Sequence, residues 1–339
     1  TTYVLNTDYK FDAITGVLTR VVGGAITSTQ QVKVTYTYAD PSKVTASEIV
    51  GTIVSGDRTG LQAVLDVYPL RGETPKILIA PGWSDNATVA AELIVMAAKL
   101  DADCLIDAPV GATVAQAIAG RAGTAPVGVF GTSSQYATLC YPRVKDSDGL
   151  LQPLSQYLAG VIANTDRSRG YWFSPSNKDI LGITGLEVRF DDEDLLDLNA
   201  AGIVTVKRDF ATGFKTWGNR TALYPSDTTP LNFLCVRRTL AIFHESIRRG
   251  SEIYVDQPIS DPLIEQIVSA GQSFIYEQVT LGALIEGSKI FYDKKLNPPS
   301  AIAAGQLKFS IVLAIPTPAE HVIYETSFDI ELFANLGAE

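Results

Sequence analysis

Two serines stand where a strand-to-helix turn would set a nucleophile. Ser84 lies in Gly82-Trp83-Ser84-Asp85-Asn86, after the apolar run Lys76-Ile77-Leu78-Ile79-Ala80 and before a stretch rich in Ala, Leu and Val over 86–100. The place suits a hydrolase elbow, but the fifth residue is Asn86, not the glycine of G-x-S-x-G. The plainer reading is that Ser84 or Asp85 caps the following helix. Ser133, in Gly131-Thr132-Ser133-Ser134, follows Val127-Gly128-Val129-Phe130, which reads as another strand. Either serine needs a histidine base, and the chain has two. His244 falls mid-helix in Phe243-His244-Glu245-Ser246, and His321 precedes an alternating apolar stretch. Nothing in the spacing draws either to a serine, so a serine hydrolase using Ser84 or Ser133 is the alternative rather than the leading reading.

Other chemistries find less support. The densest acidic run is Phe190-Asp191-Asp192-Glu193-Asp194-Leu195-Leu196-Asp197. It lacks the glycine and terminal glutamate of an EF-hand loop, and it reads as an acidic helix start that complements the helix dipole. Cys104, Cys140 and Cys235 are far apart, each in an apolar stretch. They read as reduced, buried thiols of a chain made in the cytoplasm, and neither CxxC nor a Cys/His cluster suggests zinc. There is no G-x-x-x-x-G-K-[ST] and no G-x-G-x-x-G, so nucleotide hydrolysis and dinucleotide binding lose their usual warrant. The sequons at Asn86 and Asn219 carry little weight in such a chain. No catalytic residue, metal ligand or cofactor is expected.

The 339 residues carry a net charge of −10, with 46% hydrophobic and 19% charged residues. That is a globular composition, and its acidity argues against nucleic acid or an anionic membrane surface as partner. No apolar run reaches the roughly 20 residues of a membrane-spanning helix. The chain starts at Thr1 without an initiator methionine or signal-like segment, which suggests a fragment or trimmed form.

The elements that must position these residues fall into three regions. Residues 1–45 read as a β-rich segment: a turn at Thr15-Gly16-Val17, a strand Leu18-Thr19-Arg20-Val21-Val22, a second turn at Gly23-Gly24, and strict alternation in Gln31-Val32-Lys33-Val34-Thr35-Tyr36-Thr37-Tyr38. Residues 46–221 alternate apolar strands (Lys76-Ile77-Leu78-Ile79-Ala80, Cys104-Leu105-Ile106-Asp107, Val127-Gly128-Val129-Phe130, Ala137-Thr138-Leu139-Cys140-Tyr141) with helices near 86–100, 113–121 and 155–165. That pattern predicts a doubly wound α/β domain whose parallel sheet is covered on both faces. Residues 222–339 predict a compact α+β domain. A long helix over 231–249 has Leu234, Leu240, Ile242, Phe243 and Ile247 inward and Arg237, Arg238, Arg248 and Arg249 solvated. A second helix begins at Asp261-Pro262, and strands follow over 284–292, 306–315 and 321–333 in an antiparallel sheet. In the last of these, Tyr324, Thr326, Phe328, Ile330 and Leu332 share one face.

Four segments, taken in order across about 280 residues, resemble the contractile tail sheath proteins of phages and phage-derived bacteriocins. They are Gly56-Asp57-Arg58-Thr59-Gly60-Leu61 with Pro75-Lys76-Ile77-Leu78-Ile79-Ala80-Pro81-Gly82; Gly170-Tyr171-Trp172-Phe173-Ser174-Pro175-Ser176-Asn177-Lys178-Asp179-Ile180 with Gly182-Ile183-Thr184-Gly185; Phe214-Lys215-Thr216-Trp217-Gly218-Asn219-Arg220-Thr221; and the end, where a strand leads through Pro316 and Pro318. The resemblance implies a subtilisin-like α/β domain at 46–221, with its topology but without a catalytic triad, and the C-terminal sheath domain at 222–339. The residues agree that such a triad cannot form within 46–221, because no histidine precedes His244.

The resemblance also implies a structural subunit that stacks in helical hexameric rings around a tail tube and contracts without nucleotide. Its partners would be neighbouring copies, the tube protein, and the baseplate and tail terminator proteins, in a virion tail assembled in the bacterial host cytoplasm. The sheath of a headless contractile injection particle is the neighbouring alternative. Family members carry an N-terminal arm, so the chain as it stands is expected to be monomeric. Candidate interface residues are Arg248 and Arg249 against Asp191 and Asp192 of a neighbour, and Phe328, Ile330 and Leu332 in a segment that pairs with a neighbour or completes its own sheet.

Overall fold

The computed structural model describes residues 2–36, 40–189, 191–211 and 213–336. The chain forms two compact units, Thr1–Val44 and Thr45–Glu339. In the first, strands β1 (Tyr9–Phe11) and β2 (Leu18–Arg20) pair antiparallel. Asp8 organises this unit: its carboxylate accepts from Val4 N and Ala25 N, both at 2.8 Å. These two donors lower the Asp8 pKa, that of Ala25 first. The alternating stretch after Gln30 does not form a strand over 31–36, and the call on Thr37 and Tyr38 lies outside the described residues. Alternation supplies a face to bury, but a strand also needs a neighbour to bond, and Val32 and Val34 stay exposed.

The second unit is built on a five-stranded sheet. Its strands are β3 (Ile77–Ile79), β4 (Asp103–Asp107), β5 (Ala137–Cys140), β6 (Ile203–Asp209) and β7 (Gly213–Trp217), in spatial order β7-β6-β5-β4-β3. The first four run parallel, and β7 returns antiparallel from β6. β4 and β5 are buried along their whole length, which is why they read as unbroken apolar runs. Alternate side chains feed two cores. Cys104, Ile106, Leu139 and Ile203 pack with helix α1 (Ala87–Leu100), while Leu105, Cys140, Val204 and Val206 pack with helix α2 (Leu154–Ser168). The sheet is therefore covered on both faces, as the sequence predicts. Helix α3 (Asp192–Ala200) leads into β6. All three cysteines are buried free thiols.

Val127-Gly128-Val129-Phe130, expected as a strand, is instead a 3-10 turn at Gly128–Phe130 with Val127 and Phe130 fully buried. A four-residue apolar run does not distinguish a strand from a buried turn. Here Arg121 decides, donating to the carbonyls of Phe130 (2.8 Å) and Thr132 (2.7 Å) and so satisfying a backbone that has no ladder.

Beyond the sheet lie helix α4 (Leu234–Ser251), helix α5 (Asp261–Leu281) and the antiparallel pair β8 (Lys289–Tyr292) and β9 (Phe309–Val312). α5 begins at Asp261 with Pro262 in its first turn, as expected, and Ser260 caps it, accepting from Leu263 N. Phe243 of α4, Ile275 of α5, Leu284 and Ile290 form a third core, with Phe309, Leu313 and Ile315 against it. Gly271 lets α5 approach β8: a Cβ there would lie 2.9 Å from Ile290 Cδ1. The third strand expected at 321–333 is absent. Residues 321–329 have no regular structure, and a 3-10 turn spans Ile330–Asn335. Among the described residues nothing pairs with this segment, so its alternation meets no ladder.

Candidate functional site: a buried serine, a charge cluster and a terminal segment

Ser84 is a structural latch. The chain leaves β3 and turns through Ala80, whose carbonyl accepts from Trp83 N (3.0 Å) and Ser84 N (2.9 Å). This turns Ser84 fully into the interior. Its Oγ donates to Asp107 Oδ2 (2.8 Å) and accepts from Asp107 N (3.0 Å), while Asp107 Oδ1 accepts from Ser155 N (2.8 Å). The start of α1, the end of β4 and the first turn of α2 are thereby joined. Burial pushes the Asp107 carboxyl up in pKa, against the pull of the Ser155 and Ser84 donors. The cap expected from Ser84 or Asp85 comes instead from Asn86, whose side chain accepts from Thr88 N (2.9 Å) and Val89 N (3.4 Å). Asp85 pairs with Arg143 (3.1 Å).

His244 does not reach Ser84. Its Nδ1 faces Asp101 Oδ2 at 3.2 Å, and Asp101 precedes β4 whereas Asp107 ends it. They are six positions apart, roughly 20 Å at the rise of an extended strand. Ser133 is exposed, and among the described residues no hydrogen bond joins it to His244 or His321.

Asp101 belongs to a charge cluster that corrects the reading of α4. Arg237 and Arg238, expected in solvent, are 2% and 4% exposed. Arg237 bonds Asp101 and stacks over the Tyr136 ring (4.5 Å to its centroid). Arg238 grips both carboxylate oxygens of Asp166 on α2, at 2.9 and 2.5 Å. One turn and more further along α4, Glu245 takes Lys76 (2.8 Å) and Arg249 (2.7 Å). The bond from His244, then the Arg237 charge, hold Asp101 at a pKa of about 2 against its partial burial. Among the described residues the buried Asp103 Oδ1 has no hydrogen-bond partner, and burial pushes the carboxyl up to about 7 despite Arg237 and Arg238. Paired guanidinium groups can be buried where lone ones cannot. The pairing carboxylates come from segments 70 to 140 positions away, which α4's own periodicity does not record.

The other expected site residues are accounted for within the chain. Asp191 caps α3, accepting from Glu193 N and Asp194 N at 3.0 Å, with Asp194 returning the bond to Asp191 N (3.2 Å). Asp192 is exposed in the first turn. Arg248 lies over the Tyr68 ring at 5.3 Å, and Arg249 also donates to the Gly72 carbonyl (2.9 Å). No ion pair among the described residues joins the two charged sets. Phe328, Ile330 and Leu332 are all exposed, Phe328 at 98%.

The second resembling segment acquires a physical role. Gly170, at φ +114°, lies under Trp172, where a Cβ would come within 2.5 Å of the indole. Tyr171 donates to Gln278 Oε1 of α5 (2.6 Å), so the segment fastens α5 to the end of α2. Arg121, Asp107 and Arg220 are missed by sequence reasoning. Arg220 sits within the third resembling segment, and its flanking residues register only as a sequon.

The candidate serine is thus a buried latch, the buried arginines are paired within the chain, and the terminal segment exposes apolar side chains. A family profile described as the phage tail sheath protein central domain matches residues 56–222. The tail sheath protein of Burkholderia phage BcepMu is 42% identical over 349 residues, spanning 99% of this chain and 73% of the phage protein. Among solved structures, the chain is similar to one in the cryo-EM structure of the anti-feeding prophage baseplate, with 25% identity and a TM-score of 0.65, covering 80% of this chain and 73% of that one. The fold is also that of the PVC sheath complex of an extracellular contractile injection system in its contracted state, with 22% identity, a TM-score of 0.68, and 81% and 76% coverage. The chain belongs to the phage tail sheath family, the structural proteins of contractile tails.

Proposed function

We propose that this chain polymerises as helically stacked hexameric rings around a tail tube, and that the sheath shortens and widens on a baseplate trigger to drive the tube through a target envelope. The observation that carries self-assembly is the terminal segment. Val322, Ile323, Tyr324, Phe328, Ile330, Leu332 and Phe333 all stand in solvent, Ile323 at 90%. So many exposed apolar side chains in one alternating segment call for a partner. We assign it to a neighbouring copy, where β9 is the open edge of the two-stranded β8–β9 pair, β8 being bonded at Ile290 N by Gln272 of α5. A contact of one patch with a different patch does not close on itself and builds a helix. Such links persist while weaker polar faces re-pack between extended and contracted states.

In this reading residues 46–221 are the subtilisin-like domain, used for its topology and not for catalysis, and 222–339 are the C-terminal domain that faces the tube. The 1–45 segment is a separate β-rich unit. Arg248 and Arg249 meet Asp191 and Asp192 of an adjacent subunit. The tube, baseplate and terminator proteins are the further partners, and assembly takes place in the bacterial host cytoplasm. A headless injection particle is the second reading, favoured by the similarity to the anti-feeding prophage chain. Capsid and portal genes beside this one would favour a phage tail, and their absence the headless particle.

The test is negative-stain electron microscopy of the protein made from its whole reading frame. Hollow cross-striated tubes are the expected result. Particles that stay monodisperse at high concentration would overturn the proposal.

A further inference from the structure

We infer that Arg220 and Glu320 form a clamp that sets the direction in which the terminal segment leaves the body of the subunit, and so positions that segment for the neighbouring copy; this rests on the self-assembly proposed above. Arg220 follows β7, and its guanidinium lies over two rings, 3.9 Å from the Phe233 centroid and 4.4 Å from that of Tyr224. One end of the fork bonds Asn232 Oδ1 and the other Glu320 Oε2. Asn232 is itself fixed, donating to the Asp227 carbonyl (3.0 Å) and accepting from Thr221 N (2.8 Å). The body of the protein therefore orients Arg220 independently of Glu320, a residue 100 positions later.

The path to Glu320 is also constrained. Ala314, just past β9, is held by Ser288 Oγ (3.0 Å) and by Ile285 N (2.8 Å). The next residues are Ile315-Pro316-Thr317-Pro318-Ala319. Two prolines fix φ at alternate positions and favour an extended, stiff course. After Glu320 the described residues are exposed, and no hydrogen bond among them returns to the body. Glu320 is thus the last anchored point before the apolar residues that need a partner. Isolated surface ion pairs contribute little, largely because two mobile side chains must be ordered together. Here the rings and the amide order the arginine in advance, so the pair suits a positioning role.

The experiment uses Glu320→Ala, which touches no core, and Arg220→Lys, which keeps the charge but not the planar stack. A nitroxide placed through Ile323→Cys reports segment mobility, since the three native cysteines are buried. All variants are made from the whole reading frame, and tube growth gives the critical concentration. Both variants are expected to loosen the label and to raise the critical concentration about fivefold, with the thermal midpoint of Glu320→Ala unchanged. Wild-type mobility in Glu320→Ala would overturn the clamp. A looser label with unchanged assembly would overturn its role toward the neighbour. If the unsubstituted protein forms no tubes at all, the self-assembly reading fails, and the label alone still decides whether the clamp exists.

Discussion

Asp103 makes the subunit's buried charge sensitive to pH. Its carboxyl lies among Arg237 and Arg238 of α4, Asp101 before β4, and Lys76 before β3, and burial raises it from 3.8 to about 7. Between pH 4 and 7 the folded chain keeps a proton that the unfolded chain has released, so this group's contribution to stability falls as pH rises through that window and is constant above it. Asp101, held at about 2, works in the opposite sense: its contribution is present above pH 4 and lost as pH drops toward 2. Asp103→Asn is expected to flatten the decline between pH 4 and 7 while leaving the acid-side loss in place. Urea unfolding at pH 3, 5 and 8 checks this, and a decline that survives in Asp103→Asn would assign it to another group. None of this is visible locally in the sequence, where Asp101-Ala102-Asp103 precedes an apolar run. Burial raises the pKa of Asp103 against the pull of Arg237 and Arg238, and His244, then Arg237, lowers that of Asp101; all three residues lie more than 130 positions away.

At the level of elements, helix starts carry most of what a local reading can deliver. Asp191 accepts two backbone donors and exchanges a reciprocal bond with Asp194, with Asp192, Glu193 and Asp194 in the first turn of α3. Asp191→Ala is expected to cost about 1 kcal/mol, as for other cap deletions, seen as a lower urea midpoint with an unchanged slope. An equal midpoint would mean that water replaces the cap. The acidic run was legible as a helix start because capping and dipole effects act within one turn. β3, β4, β5 and α1 were legible because apolar continuity and periodicity are local as well. The alternating stretches after Gln30 and after Glu320 misled for the complementary reason: alternation describes one strand, and a strand exists only when another chain segment bonds it. In the candidate site, Ser84 was legible as standing at a strand-to-helix turn, but its partner Asp107 lies 23 residues on and turns a potential nucleophile into a buried latch.

At the scale of the whole molecule, net charge opposes the assembly proposed for the terminal segment. Each subunit carries −10, and a helical stack brings many such charges within a few Debye lengths of one another. The apolar contact proposed for the terminal segment is insensitive to screening, whereas repulsion between subunits is not. Raising salt from about 0.05 M to 0.5 M, which shortens the Debye length severalfold, is therefore expected to lower the critical concentration for tubes. Arg248→Glu with Arg249→Glu makes the subunit more acidic and removes the cations proposed to meet Asp191 and Asp192 of a neighbour. That variant is expected to assemble less well at low salt and to approach the unsubstituted protein at 0.5 M. Sedimentation of tubes across the salt series measures both effects. A deficit that persists at high salt would place the role of these arginines within their own chain, where Arg248 covers Tyr68 and Arg249 holds Glu245 and the Gly72 carbonyl. The unfolding midpoint of the unassembled variant would then fall with it, while a docking role leaves that midpoint near the unsubstituted value.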